Sequence, residues 1–158
     1  MPVVIELTGD EMRFAHEIAV EVTRRRSSQQ HHGTVLYDQE TNIRWHEIGI
    51  LAELAVGKWR RVKPGSFTEY DPARSDVDGL QVKATRPNLN LLVKKTDLDH
   101  HPLDRPYLLA WVTVGDPDIR LVGWAPLGDI TTPDRWWPEM DVFKMPHQNL
   151  RPIMRLPR

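Results

Sequence analysis

Three residues within eight consecutive positions carry the most chemistry in this chain: Asp76, Gln81 and Lys83, in Asp76–Thr85 (DVDGLQVKAT). An acid, an amide oxygen and an amine are the parts needed to hold a divalent cation and position a water. Between them lies Asp78-Gly79, a strong two-residue hairpin signal, because a type I′ turn needs positive φ at both central positions. With that turn, Val77 pairs with Leu80, Asp76 with Gln81, and Arg74 with Lys83. Alternation along the strand then turns Leu80, Val82 and Ala84 into a core. Gln81, Lys83 and Thr85 face the other way. Asp78 is the rival acid, and its place in the turn marks it as a turn-former.

A second acid is expected to join them. Asn42 to Arg60 has helical periodicity, with Trp45, Ile48, Leu51, Ala52, Ala55 and Trp59 on one apolar face and Ile43, Ile50 and Leu54 on another. The strip between them holds His46, Gly49, Glu53 and Gly57. A charge at Glu53, flanked by apolar faces, is expensive unless paired or metal-bound. A salt bridge to Arg60 or Arg61 is the structural alternative, and His46 reads as a plain helix-start residue. Two glycines in a helix cost about 1 kcal/mol each, which the close approach of another backbone, such as the motif hairpin, would offset.

The set Glu53, Asp76, Gln81, Lys83 resembles the PD-(D/E)XK nuclease superfamily, in particular its small phage-type members with a Gln-x-Lys motif. The likeness spans about Ile43 to Thr113. It departs from the usual pattern at Ser75, where a proline often stands, and at Gln81, which replaces Asp or Glu. The resemblance implies an α/β (α+β) fold, a restriction-endonuclease-like mixed central sheet flanked by helices in a single domain. It also implies metal-dependent hydrolysis of DNA, with RNA as the alternative substrate. Asp76 would be the principal ligand to Mg²⁺ or Mn²⁺, aided by Gln81, the Val82 carbonyl and Glu53, while Lys83 orients the attacking water. A catalytically inactive module that binds nucleic acid or a protein partner is the second expectation, and a structural component the third.

Bulk properties constrain the partner. The chain has 158 residues, 40% hydrophobic and 27% charged, with no cysteine and a formal net charge of −1. One domain with a sizeable core is expected. Thiolate zinc sites and disulfides are excluded. No leader and no apolar run near ~20 residues is visible, so a cytoplasmic protein is expected, without a membrane partner and including a phage-infected host cell. The oligomeric state is open, a homodimer included. Neutral balance means nucleic acid must be met by a local basic patch. Lys58, Arg60, Arg61 and Arg74 are the candidates, although a solvated helix end also explains the first three.

The remaining elements follow in order. Thr8–Glu11 is a capping box for a first helix spanning residues 8 to 27, with Met12, Ala15, Ala19 and Val22 as its apolar stripe. Arg24-Arg25-Arg26 reads as a solvated cationic end rather than a phosphate clamp. Ser27–Gly33, with His31 and His32, reads as a loop, and Ser66–Tyr70 as a strand before an Asp71-Pro72 turn. Residues 42–125 form the core helix and sheet. Leu89–Lys95, Tyr107–Val114 (the sheet centre) and Ile119–Ala125 are its later strands, and Thr96–Arg105 is a polar loop with exposed His100 and His101. Residues 126–158 read as an irregular cover with a strand-like piece at Val142–Met145, and Trp136-Trp137 as a lid on the core.

Overall fold

The computed structural model describes residues 2–29, 38–67 and 74–158. Most of the expected first loop (30–33), including His31 and His32, lies outside them. So do residues 68–70 of the expected Ser66–Tyr70 strand and the Asp71-Pro72 turn.

The chain begins with a strand that the sequence pattern does not announce, β1 (Val3–Glu6). The capping box then forms: Thr8 N–H donates to Glu11 Oε1 at 2.9 Å, and Glu11 N–H to Thr8 Oγ1 at 3.1 Å. It starts α1 (Gly9–Gln29), which runs past the expected end and buries Ala15, Ala19 and Val22. Helix α2 (Gln39–Arg60) is capped by Asp38, whose Oδ1 accepts from Thr41 N–H at 2.7 Å. It stops at Arg61, which takes a left-handed conformation (φ 59) while Val62 N–H donates back to Gly57 O at 2.9 Å. The inner turns of α2 are buried as expected, but Trp45 is 48% exposed. It leaves the apolar face assigned to it.

The glycines of α2 differ in purpose. A Cβ at Gly57 would meet Val62 O at 2.7 Å, so the close approach comes from the chain's own exit loop and not from the motif hairpin. Nothing lies within 4 Å of a Cβ at Gly49. Gly49→Ala is therefore expected to stabilise the protein by about 1 kcal/mol, and Gly57→Ala to destabilise it. Thermal unfolding of the two variants checks both signs.

The later elements are β2 (Gln81–Thr85), β3 (Leu91–Lys94), α3 (Asp97–His100), β4 (Pro106–Trp111), β5 (Asp118–Pro126), α4 (Leu127–Ile130), β6 (Trp136–Trp137) and β7 (Val142–Met145). They make a mixed α/β fold with two sheets. The first has the order β1-β5-β4-β2, with β4 inside it as expected, and the second β3-β7-β6. β2 runs parallel to β4, and the other pairs of the first sheet are antiparallel.

Alternation along β4 separates two cores. Leu108 and Ala110 pack with Ala19, Leu51, Ala55 and Val56 of the helices. Tyr107, Leu109 and Trp111 pack with Leu91, Val93, Phe143 and Met145 of the second sheet. Helices α1 and α2 thus cover one face of the first sheet, and a sheet covers the other. Residues 126–158, expected to be an irregular cover with a strand-like piece at Val142–Met145, supply two of that sheet's strands, and β7 is that piece. Trp136 packs edge-on against Phe143 with ring centroids 4.9 Å apart. Among the described residues no helix is long and apolar enough to cross a membrane.

Candidate functional site

The Asp78-Gly79 turn forms with the expected backbone, φ 49 and φ 76, and Val77 bridges Leu80. The ladder goes no further: Asp76 does not pair with Gln81, nor Arg74 with Lys83, because β2 takes its hydrogen bonds from β4. Asp76 N–H donates to Leu80 O at 3.0 Å instead, and its Oδ2 accepts from Val82 N–H at 2.8 Å. The acid is curled over the first residues of β2 by its own carboxylate. Val82 touches the site through that amide while its side chain stays in the core.

β2 is an edge strand, so the site wraps around the edge of a sheet. Leu80 and Val82 face the helices; Gln81 and Lys83 face the other way. A cleft of about 580 Å³ joins the two sides and is lined by Glu53, Arg74, Asp76, Gln81 and Lys83, among others. The structure thus brings the four motif residues and Arg74 into one cavity. Lys58, Arg60 and Arg61 are not part of its lining. Lys58 Nζ donates to Glu6 O at 2.9 Å and Glu11 Oε1 at 2.7 Å. Arg60 lies over the Trp59 ring, donates to Pro157 O at 2.5 Å and sits 3.7 Å from Asp78 Oδ2. Its work is to tie the end of α2 to the hairpin turn, and Arg61 is the helix cap.

The two acids burden each other. Burial pushes the Glu53 carboxyl up to about 8, the Asp76 charge adds to this, and Arg74 opposes it. Asp76 is also raised, first by burial and then by Asp97, against the Val82 amide, Lys83 and Arg74. Close carboxylates in a poorly solvated place cannot both ionise freely. Asp76 is the hinge of this field, feeling Glu53 on the helix side and Lys83 and Asp97 on the other.

Asp97 is the site residue that sequence reasoning missed. Helix α3 places its Oδ2 3.3 Å from Lys83 Nζ, and the amine stands 5.6 Å from the centre of the Tyr107 ring. His101, expected to be exposed, is 7% accessible and packs edge-on against Tyr107. Thr96, Asp97, His100 and His101 therefore form the far wall of the cleft, with α3 in place of part of the expected loop, while His100 stays exposed as expected.

The fit of a divalent cation rests on one orphan atom. Gln81 Oε1 is buried and accepts no hydrogen bond, an unsatisfied state that a native fold rarely tolerates without a water or ion. Among the described residues no cluster of three or more His, Cys, Asp or Glu has metal-site geometry. Two carboxylates and one amide oxygen still match the hard, oxygen-only donor set that Mg²⁺ and Mn²⁺ take with retained waters. No family model, curated protein or solved structure matches the chain.

Proposed function

We propose that this protein hydrolyses phosphodiester bonds in DNA with the help of a divalent cation, as a PD-(D/E)XK-type nuclease on a restriction-endonuclease-like core. The observation that carries the proposal is the meeting of Glu53 and Asp76, drawn from a buried helix and a pre-turn residue, beside Gln81 and Lys83 in one cleft. Asp76, Glu53 and Gln81 Oε1 would hold Mg²⁺ or Mn²⁺. When bound, such an ion offsets phosphate charge and acidifies water. The protein's own part is positional. The Asp76 carboxylate is fixed by the Val82 amide, and Lys83 Nζ, steadied by Asp97, would orient the attacking water and offset the negative charge that builds on the phosphorus centre. A role in phage or mobile-element repair, recombination or defence would suit this chemistry.

Purified protein incubated with plasmid, linear and single-stranded DNA in Mg²⁺ or Mn²⁺ is expected to cleave, and Lys83→Ala to lose at least about a hundredfold in rate. Absence of cleavage, or cleavage unchanged by Lys83→Ala, refutes the proposal. The second reading, an inactive module that binds nucleic acid or a partner protein, is favoured by two observations. Lys83 is already engaged by an acid, at 3.3 Å, and Gln81 brings no charge. Binding without turnover would select it.

A further inference from the structure

The cleft extends well beyond the motif residues, along α2 to Glu53 from Gly49 and Trp45. These three lie four residues apart, on one side of the helix, and span about 12 Å of its axis. Gly49 leaves the floor between the other two open, with room for a Cβ and more. Trp45 stands at the end of this track with nearly half its surface in solvent, in a position where periodicity alone would bury it.

Beside Trp45 a cation is held by a chain of hydrogen bonds. The Thr23 hydroxyl donates its single proton to Ala19 O at 2.7 Å. It must then accept from His46 Nδ1, 2.7 Å away. That leaves the lone pair on His46 Nε2 to accept from Arg26 Nη1 at 3.2 Å. Burial and the Arg26 charge lower the His46 pKa, which agrees with a neutral ring. His46 is thus no plain helix-start residue, and Arg26 is not a solvated cap like Arg24 and Arg25, which pair with Glu21. Arg26, Arg74 and Lys94 all line the cleft that holds the acids.

We infer that this track binds a single strand of nucleic acid, with a base stacked on Trp45, a phosphate near Arg26, and the chain passing over Gly49 toward Glu53 and Asp76. The inference deepens the proposed hydrolysis by naming its substrate form, and it rests on that proposal. Stacking on an exposed aromatic ring beside a cationic groove is the general means of holding single strands without reading their sequence. About 580 Å³ suits a small ligand or one to two nucleotides. A cleft of that volume does not enclose a double helix.

Fluorescence anisotropy with fluorescein-labelled oligothymidylate, in EDTA so that cleavage plays no part, tests this. Wild type is expected to bind, with the duplex of equal length at least about tenfold weaker. Trp45→Ala is expected to weaken single-strand binding about tenfold or more, and Trp45→Phe to retain it within about threefold. Arg26→Ala should reduce the slope of log affinity against log salt by about one. Gly49→Leu, which fills the floor without touching a charge, should block binding. Mn²⁺ binding should be the same in Trp45→Ala and wild type. Equal affinity for duplex, an unaffected Trp45→Ala, or no binding by wild type overturns the inference. Cleavage that persists in Trp45→Ala at the wild-type rate overturns the track and leaves the hydrolysis standing. Binding that depends on Trp45 with no cleavage in any metal overturns the hydrolysis alone.

Discussion

Asp76→Asn is expected to lower the affinity for Mn²⁺ by about a hundredfold or more in calorimetric titration, and to abolish cleavage with it. Asparagine is the informative substitution because its side-chain oxygen can still accept the Val82 N–H that Asp76 Oδ2 accepts at 2.8 Å. The hairpin keeps its shape, and only the charge is lost. Even residues that merely orient metal ligands are worth ten- to a hundredfold in affinity, so removing the principal anion should exceed that. A second readout needs no metal. With the Asp76 charge gone, the Glu53 carboxyl should fall from about 8, because that charge is the second cause of its elevation after burial. Carboxyl titration by NMR reads the change. Unchanged Mn²⁺ affinity, or a Glu53 carboxyl that does not move, would show that the two acids do not share a site.

The second large effect concerns stability. A carboxyl raised in the folded state binds a proton that the unfolded chain has released, so stability falls as pH rises between the two values. For Glu53 the contribution is complete below about 4.5, declines across the interval, and is gone above about 8. Glu53→Gln removes this burden. Each pH unit of displacement is worth about 1.4 kcal/mol. Counting half of the displacement, since solvent reaches the cleft, Glu53→Gln should be more stable than wild type by about 2 kcal/mol at pH 9 and nearly equal at pH 4. Urea unfolding at the two pH values measures the difference. Added Mg²⁺ should narrow or reverse the gap at pH 9, since the wild-type site, with both acids, gains more binding energy on folding than the variant. A variant less stable than wild type at pH 9 would mean that Glu53 is held by a favourable partner instead.

Local rules carried the sequence reading a long way. Asp78-Gly79 could be placed because few residues accept two successive positive φ angles, and both are positive in the fold. Tyr107–Val114 was legible from its nearly continuous apolar run, although the strand ends at Trp111, and the expected Ile119–Ala125 lies within β5. The misses were tertiary. β1 is four residues long with side chains alternately exposed, too short a pattern to stand out before a helix. The parallel partner of β2 lies beyond an intervening strand and helix, so extending the hairpin ladder past Leu80 was the natural local inference and the incorrect one. Asp97 resembles any acid in a polar stretch until α3 docks it beside Lys83. Trp45 fits an apolar helical face by angle, yet the helix carries it into the cleft, where no core meets it.

The pairing of β3 with β7 has a consequence for how the protein matures. β3 ends at Lys94 and β7 begins at Val142, so nearly fifty residues must leave the ribosome between one partner and the other. Asp97 follows β3 directly, and its grip on the amine at position 83 depends on that strand being docked. A nascent chain would therefore own its acids, and the turn that sets them, well before the wall that steadies its lysine. The cleft should therefore gain its far wall late in synthesis.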